Sequence, residues 1–106
     1  LDRYGADTWR SFEAMTDERS GLPADSLHAD GTRSVQTSTT NIGAYMWSAV
    51  VARRLGIISR RELVNRVSRT LGTLEGMERS MGGQYFNWYD HRTGAKLETW
   101  RRPARR

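Results

Sequence analysis

The chain has 106 residues, enough for one domain with a core of modest size, and its 37% apolar and 27% charged residues are typical of a soluble globular fold. It has no cysteine, which excludes disulfides and thiolate chemistry. The longest nearly apolar stretch, 42–52, is about half the roughly 20 residues that a membrane span needs, so we expect no membrane association. No signal peptide is recognisable, but the sequence opens at Leu1 rather than methionine, and an upstream targeting segment can have been removed. We favour a secreted or cell-envelope location over the cytoplasm.

The net charge of +5 is spread unevenly along the chain. Residues 1–33 carry four arginines against seven acids, whereas residues 52–79 carry seven arginines against three glutamates. Residues 81–100 are balanced, and the tail 101–106 adds four arginines. Because the basic excess is local, it is a weak indication of phosphate binding, and we expect no nucleic-acid partner.

The first predicted element is a helix from Arg3 to Met15, in which aromatic and methionine side chains recur at helical spacing. The stretch 17–33 is rich in glycine, proline and aspartate, which predicts a long loop. Leu22 and Leu27 are expected to pin this loop to the core.

The second predicted helix runs from Asn41 to Leu55. The polar run 37–40 offers several N-caps, and Gly56 is a typical residue just past a helix end. Apolar residues cover every side of this helix, so it should be buried all round. We expect it to lack a complete set of neighbours within this chain.

The third predicted helix begins at Ser59, which forms a capping box with Glu62. One apolar stripe follows the cap: Leu63, Val67, Leu71 and Leu74. The helix is therefore amphipathic, its arginines indicate a solvated face, and Gly82-Gly83 should end it. The short link after Gly56 predicts that the second and third helices pack against each other.

The C-terminal part predicts a small β-hairpin. Residues 84–89 are strand-like, 90–94 are typical of a turn, and 96–100 can pair back. We assign residues 1–100 to one partial helical domain and residues 101–106 to a disordered basic tail.

The fold class is therefore all-α, with a helical hairpin, a preceding helix and a small β-hairpin near the C-terminus. An inner helix that is apolar all round, followed by an outer amphipathic helix, is the repeating unit of an (α/α) toroid. Closing such a ring takes several helical pairs. We therefore expect this chain to supply only part of the toroid.

Thr37, Ser38 and Asn41 form the first candidate binding segment, at the start of the second helix. Free backbone N–H groups and side-chain hydroxyls at a helix N-terminus can bind a neutral, oxygen-rich ligand or an anion. Helix capping alone also explains these residues, and the spacing does not decide between the two uses.

Asn87, Trp88 and Asp90 form the second candidate segment. Flat aromatic faces beside amide and carboxylate groups suit a sugar ring, which has an apolar face and a hydroxyl rim. Alternatively, the aromatic rings of 85–89 pack the end of the helical pair, with alternate residues on opposite sides.

Catalytic and metal-binding residues are harder to assign. Glycoside hydrolysis usually needs two facing carboxyl groups, and Asp30 and Asp90 are the two acids near the candidate loops. Nothing in the sequence pairs them, so no catalytic residue is assigned. His28 and His91 lie far apart and outside any metal-binding motif, so we expect no metal and no cofactor.

Four segments carry a resemblance to a known family. Residues 37–45, TSTTNIGAY, resemble the TSPTNIGLY segment of the glucoamylase-like domains of cyclic β-1,2-glucan synthases and related bacterial β-1,2-glucan-processing enzymes. Residues 52–58 and 70–78 resemble the segments that follow in those domains, and 87–90 completes the match in the same order.

The resemblance implies an (α/α) toroid that cleaves or transfers glycosidic bonds in glucans, with an oligo- or polysaccharide as its partner. Relatives continue after the 87–90 motif into an acidic, glycine-containing segment expected to hold catalytic carboxylates, whereas this chain passes into 101–106. We therefore expect a fragment that is inactive alone and completed by the remainder of the domain. The alternative is a non-enzymatic binding or assembly module that docks its exposed apolar helix on a partner chain.

Overall fold

The computed structural model describes residues 2–97. In chain order its elements are α1 (Asp2–Met15), β1 (Gln36–Thr37), α2 (Thr39–Arg54), α3 (Arg60–Gly76) and β2 (Tyr89–Asp90). Helix α2 packs against both α1 and α3 and is the central element. The mostly helical fold with a small sheet is confirmed. The predicted tail 101–106 lies outside the described residues.

Two buried clusters make up the core. The first lies between the helices and contains Trp9, Tyr45, Ala49, Ala52 and Ile58. The second joins the loops to the other end of α2 and contains Leu22, Ile42, Met77 and Tyr89. In the first cluster the rings of Trp9 and Tyr45 are stacked, with centroids 6.0 Å apart. The segments outside the helices are thus part of the core, because they supply Leu22, Ile58 and Met77 to it.

Helix α2 begins two residues before its predicted start. Ser38 caps it, its hydroxyl accepting from the backbone N–H of Asn41 at 3.3 Å, and Gly56 follows its end with a φ of +76°. Its apolar residues are buried on the side that faces α1 and α3, but Trp47 is 69% exposed. Among residues 2–97 this face is therefore uncovered, and α2 is not buried all round as predicted. Among residues 2–97, no helix is long and apolar enough to cross a membrane.

Helix α3 is capped as predicted but ends earlier. The Ser59 hydroxyl accepts from the Glu62 N–H at 3.0 Å. The predicted end at Gly82-Gly83 is wrong, because Met77 already has an extended conformation with φ −76° and ψ 140°. That turn brings the Met77 side chain into the second core cluster, where burial stabilises it.

The inward face of α3 differs from the predicted apolar stripe. Leu71 is 46% exposed, whereas Thr70 is fully buried. The Thr70 hydroxyl donates to the backbone carbonyls of Gly21, at 2.8 Å, and Arg66, at 2.9 Å. This part of α3 is therefore fastened to the preceding loop by hydrogen bonds as well as by apolar packing.

The long loop after α1 is pinned mainly by one of its two leucines. Leu22 has no exposed surface, as predicted, whereas Leu27 is 43% exposed and its predicted anchoring role is wrong. Leu27 forms an isolated bridge with Arg33 instead, across an exposed turn. The Arg33 guanidinium donates to the carbonyl of Ala14 at 2.9 Å and ties that turn to the end of α1.

The small sheet has a different partner from the one expected. Strands β1 and β2 pair antiparallel, with Gln36 opposite Asp90 and Thr37 opposite Tyr89. The predicted turn at 90–94 is confirmed by a 2.7 Å bond from the Gly94 N–H to the Asp90 carbonyl. The return segment contributes an isolated bridge from Tyr89 to Lys96, and residues 98–100 lie outside the described chain.

Candidate functional site

Pairing of β1 with β2 brings the two predicted binding segments together. Strand β1 leads directly into the N-terminus of α2, and β2 directly follows Asn87 and Trp88. The 87–90 segment therefore lies alongside the start of the central helix, although some 50 residues separate the two in sequence. The candidate site thus combines two distant parts of the same chain, and the sequence motifs alone did not show that these parts are adjacent.

Thr37 lies at the centre of this arrangement and is fully buried, opposite the equally buried Tyr89. Among the described residues, its hydroxyl is the buried side-chain group without a hydrogen-bond partner. Leaving a buried hydroxyl unpaired costs about 1–3 kcal/mol. Buried hydroxyl groups without a partner occur in native proteins mainly where strain, solvent or a ligand is involved. The Thr37 hydroxyl is therefore a candidate for one of these roles.

Ser38 and Asn41 already have structural partners. Ser38 is the N-cap of α2, which confirms the capping interpretation for this residue. The Asn41 amide donates to the carbonyl of Ala24 at 2.9 Å and so ties the helix start to the loop before β1. Both side chains remain partly accessible, so capping and ligand contact are compatible here.

Asn87 is exposed and Trp88 is partly buried, at the end of a loop that Tyr89 closes. The Tyr89 hydroxyl accepts from the backbone N–H of Phe86 at 2.8 Å and donates to the carbonyl of Glu78. The predicted alternation along 85–89 is wrong, because Phe86 packs against the same core cluster as Tyr85 and Tyr89, while Asn87 is exposed. The segment is a loop rather than a strand until residue 89.

Asp90 is held by its neighbour Arg92. The guanidinium donates to the two carboxylate oxygens at 3.0 and 2.8 Å, and the Arg92 backbone N–H adds a third bond at 2.9 Å. The Arg92 side-chain bond lowers the pKa of Asp90, although partial burial opposes it. A carboxyl group with a lowered pKa is ionised at neutral pH and is unsuited to the role of general acid.

Asp30 has a purely local role. Its carboxylate accepts from the Thr32 backbone N–H at 3.0 Å and from the Thr32 hydroxyl at 2.7 Å, within an exposed turn. The backbone bond lowers the pKa of Asp30. Both acids near the predicted site are thus engaged by local hydrogen bonds, and neither is poised to donate a proton.

A third acid, Asp25, was missed by sequence reasoning. Its backbone N–H donates to the carbonyl of Gln36 at 3.0 Å, which places it beside β1. Partial burial raises the pKa of Asp25. The turn-rich composition of its loop hid this acid, since only the fold brings it to the start of α2.

A charged groove lies elsewhere, between the end of α1 and α3. Its volume is about 850 Å³, and its floor includes Tyr45 and Arg66. Arg66 donates to Glu62 at 2.8 Å and Glu13 at 3.1 Å, so the groove is largely self-neutralised. None of the six predicted binding residues lines it. Within residues 2–97, no three acidic or histidine side chains are arranged to hold a metal ion.

Known proteins share both the sequence and the fold of this chain. Over 85 residues the chain is 39% identical to the cyclic β-(1,2)-glucan synthase NdvB of Rhizobium meliloti (strain 1021); the match covers 77% of this chain and 3% of that protein. The resemblance to β-1,2-glucan-processing proteins is thereby confirmed. The chain spans only a small part of this relative's length.

Solved structures match most of the chain. The endo-β-1,2-glucanase of Chitinophaga pinensis, in complex with sophorotriose and glucose, superposes with a TM-score of 0.75 at 22% identity, over 85% of this chain and 22% of the glucanase. The putative glucoamylase of Bacteroides fragilis NCTC 9343 gives 0.72 at 24% identity, over 89% and 24% of the two chains. At such identities the likeness establishes the fold alone, which is that of one portion of a glucoamylase-like toroid.

A sequence profile described as "Protein of unknown function (DUF3131)" matches residues 3–106, almost the whole chain. The chain therefore belongs to the DUF3131 family.

Proposed function

We propose that this chain is the glucan-contacting portion of a carbohydrate-active domain that acts on β-1,2-linked glucans. The observation that carries the proposal is the β1–β2 pairing, which sets the exposed Asn87 and the partly exposed Trp88 beside the N-terminus of α2. Amide groups, an indole face and helix N-terminal N–H groups are the chemistry that a neutral sugar requires. Two of the relatives named above, the cyclic β-(1,2)-glucan synthase and the endo-β-1,2-glucanase, are named for such glucans.

In this proposal each segment has a distinct task. Trp88 offers its indole to the apolar face of a glucose ring, and Asn87 donates to and accepts from ring hydroxyls. Ser38 and Asn41 line the opposite wall at the helix start, and Asp90 is an ionised acceptor aligned by Arg92. Thr37 is buried within the β1–β2 pair, where its hydroxyl has no hydrogen-bond partner among the described residues.

The portion is proposed to be catalytically incomplete by itself. Asp30 and Asp90 are both held ionised by local bonds, and glycoside hydrolysis needs one protonated carboxyl group opposite a second one. We therefore expect the 106-residue chain to release no reducing ends from β-1,2-glucan. Clear turnover by the purified chain would contradict this part of the proposal.

Glucan binding can be tested by substituting two exposed amide residues of the same loop in turn. We expect the chain to bind sophorotriose weakly, and Asn87→Ala to reduce that affinity several-fold while leaving the melting temperature unchanged, because Asn87 is exposed. Gln84→Ala is the matched control, since Gln84 is an exposed amide in the same loop. Isothermal titration would contradict the proposal if both variants bound as the unmodified chain does.

A second candidate function rests on the uncovered side of α2. Trp47 is 69% exposed and Val50 is 37% exposed, while the other side of the helix is buried in both core clusters. In the glucanase and glucoamylase structures the matching portion is about a quarter of the chain or less, so further polypeptide surrounds it there. The proposed occupant of this face is therefore an apolar helix from the rest of a glucoamylase-like domain.

The two proposed functions predict different effects of substitutions in α2. Trp47→Glu should leave sophorotriose binding unchanged but abolish association with a separately expressed remainder of such a domain, because it puts a charge on the uncovered face. Ala49→Glu, on the buried side of the same helix, should instead unfold the chain. Association that survives Trp47→Glu would contradict the docking proposal without affecting the glucan-binding one.

A further inference from the structure

Asp25 is in an unusual position among the acids of the described chain. It lies in the loop that runs from α1 to β1, directly after the fully buried Ala24. Its side chain is partly buried, and no hydrogen bond or ion pair engages its carboxylate within residues 2–97. Partial burial without a protein partner disfavours the charged form of this carboxylate, while its remaining exposure leaves it accessible to a ligand.

The backbone on either side of Asp25 is firmly held. Its own N–H donates to the carbonyl of Gln36 at 3.0 Å, and the carbonyl of Ala24 accepts from the Asn41 amide at 2.9 Å. One residue farther on, the Ser26 N–H donates to the Ser34 hydroxyl at 3.0 Å. Asp25 is thus anchored to β1 and to the first turn of α2 at the same time.

Strand β1 separates Asp25 from the second binding segment. Gln36 bonds to the backbone of Asp25 and is the register partner of Asp90 in β2. Asp25 and Asp90 therefore both lie next to Gln36 of β1, and their carboxylates differ in whether a cation pairs with them. Asp90 is neutralised by Arg92, whereas Asp25 has no such counter-charge.

We propose that Asp25 is a saccharide-binding residue, whose carboxylate accepts hydrogen bonds from adjacent hydroxyl groups of a glucan at the start of α2. The inference rests on the proposed glucan-binding function and adds a ligand group that the sequence motifs did not indicate. Charged acceptors form stronger hydrogen bonds with hydroxyl donors than neutral acceptors do, and an unpaired carboxylate is not already committed to a protein donor. Hydrogen bonds from the saccharide would then offset part of the cost of its partial burial.

The proposal predicts opposite effects on stability and on binding. Asp25→Asn removes a partly buried charge, so the melting temperature should stay the same or rise. The same change should weaken sophorotriose binding by at least about fivefold, because a neutral amide replaces the charged acceptor. Asp30→Asn is the control, since Asp30 lies in the same loop, is exposed and bonds only within its own turn.

Isothermal titration with sophorotriose and thermal melts decide the matter, with the unmodified chain and the variants Asp25→Asn, Asp30→Asn and Asn87→Ala. Weaker binding by Asp25→Asn, with an undiminished melting temperature and an unaffected Asp30→Asn control, supports the assignment. Unchanged affinity in Asp25→Asn while Asn87→Ala binds more weakly overturns the role of Asp25 and leaves the proposed function in place. A lowered melting temperature in Asp25→Asn overturns it too, because Asp25 would then be structural. Absence of binding by the unmodified chain overturns the proposed function itself, and the inference falls with it.

Discussion

Arg66 differs in its role from the solvated arginine face that the sequence of α3 predicts. On sequence grounds the arginines of α3 form a solvated face, yet the Arg66 side chain is only 21% exposed. Its guanidinium lies 4.9 Å from the centre of the Trp9 ring and donates to Tyr45 at 3.4 Å. Its long apolar stem and planar head let it cover the aromatic core while its charge is satisfied by two glutamates.

We expect Arg66→Ala to lower the free energy of unfolding by about 2 kcal/mol, from lost ion pairs and lost cover over the Trp9 ring. Arg61→Ala is the control, because Arg61 is exposed on the same helix, and its effect should lie within about 0.5 kcal/mol. Urea unfolding measures both. Equal effects of the two substitutions would show that Arg66 is an ordinary surface residue.

Asp90 makes a pH-dependent contribution to stability. The Arg92 hydrogen bond lowers its folded-state pKa, so the contribution is complete above the ordinary aspartate pKa of about 4 and is lost as the pH falls through the folded-state pKa. We expect Asp90→Asn to cost about 1 kcal/mol near neutral pH and progressively less below about pH 4.

The matched control for this titration is Asp7→Asn, whose carboxylate is 61% exposed and 3.4 Å from Arg10. As an exposed surface substitution, its effect on stability should stay within about 0.5 kcal/mol. Thermal or urea unfolding across the acid range tests the prediction. A deficit in Asp90→Asn that is the same at acid and neutral pH would mean that the Arg92 pair does not govern this carboxyl group.

At the scale of elements, α3 and the loop after α1 meet at one close contact. Gly21 has a φ of +73°, and a Cβ there would lie 2.9 Å from the Thr70 hydroxyl oxygen and 3.0 Å from the Thr70 backbone nitrogen. Glycine is needed both for the left-handed conformation and for the approach of the loop to the helix. The contact orients the loop that carries Leu22 and Asp25.

We expect Gly21→Ala to destabilise the chain by about 3 kcal/mol, because it combines backbone strain with a steric clash at Thr70. Gly31→Ala separates the two causes, since Gly31 also has a positive φ, +88°, but open space around it. It should cost only about 1 kcal/mol. Similar losses in both variants, measured by urea unfolding, would remove the clash from the explanation.

The starts of α2 and α3 could be predicted from neighbouring residues in the sequence, whereas the pairing of the two strands could not. Ser59 caps α3 as predicted, and Ser38, one of the several N-caps that the run 37–40 offers, caps α2, because a cap depends on residues three positions away. The pairing of Gln36–Thr37 with Tyr89–Asp90 joins two-residue strands that carry no periodic signal of their own. The end of α3 was also misplaced, because burial of Met77 overrides the later glycine pair.

For the candidate site, as for the fold, some features could be predicted from the sequence and others could not. The motifs at 37–41 and 87–90 supplied the two candidate segments, since residue types that suit a sugar are visible in sequence, and their binding role stays a prediction. Their adjacency, the Arg92 bonds that hold Asp90 ionised and the position of Asp25 are products of long-range contacts. Sequence reasoning therefore identified candidate residues but could not assemble them into one surface.

At the scale of the whole molecule, the described residues leave several large apolar side chains uncovered. Helix α2 packs against α1 and α3, while Trp47 and Val50 of α2 and Val64 and Leu71 of α3 are exposed within residues 2–97. A portion that matches about a quarter of its solved structural relatives is expected to have such a surface. The loops that form the proposed glucan site are held within residues 2–97, so the site does not depend on the uncovered side.

The most direct test of the account is a nuclear magnetic resonance titration of the isotope-labelled chain with sophorotriose. We predict that backbone signals of residues 37–41 and 87–90, and of Asp25, shift together and saturably, while signals of the charged groove around Arg66 do not. Saturable shifts confined to that groove, or no shifts at any attainable sophorotriose concentration, would contradict the claim that these loops form a glucan-binding surface.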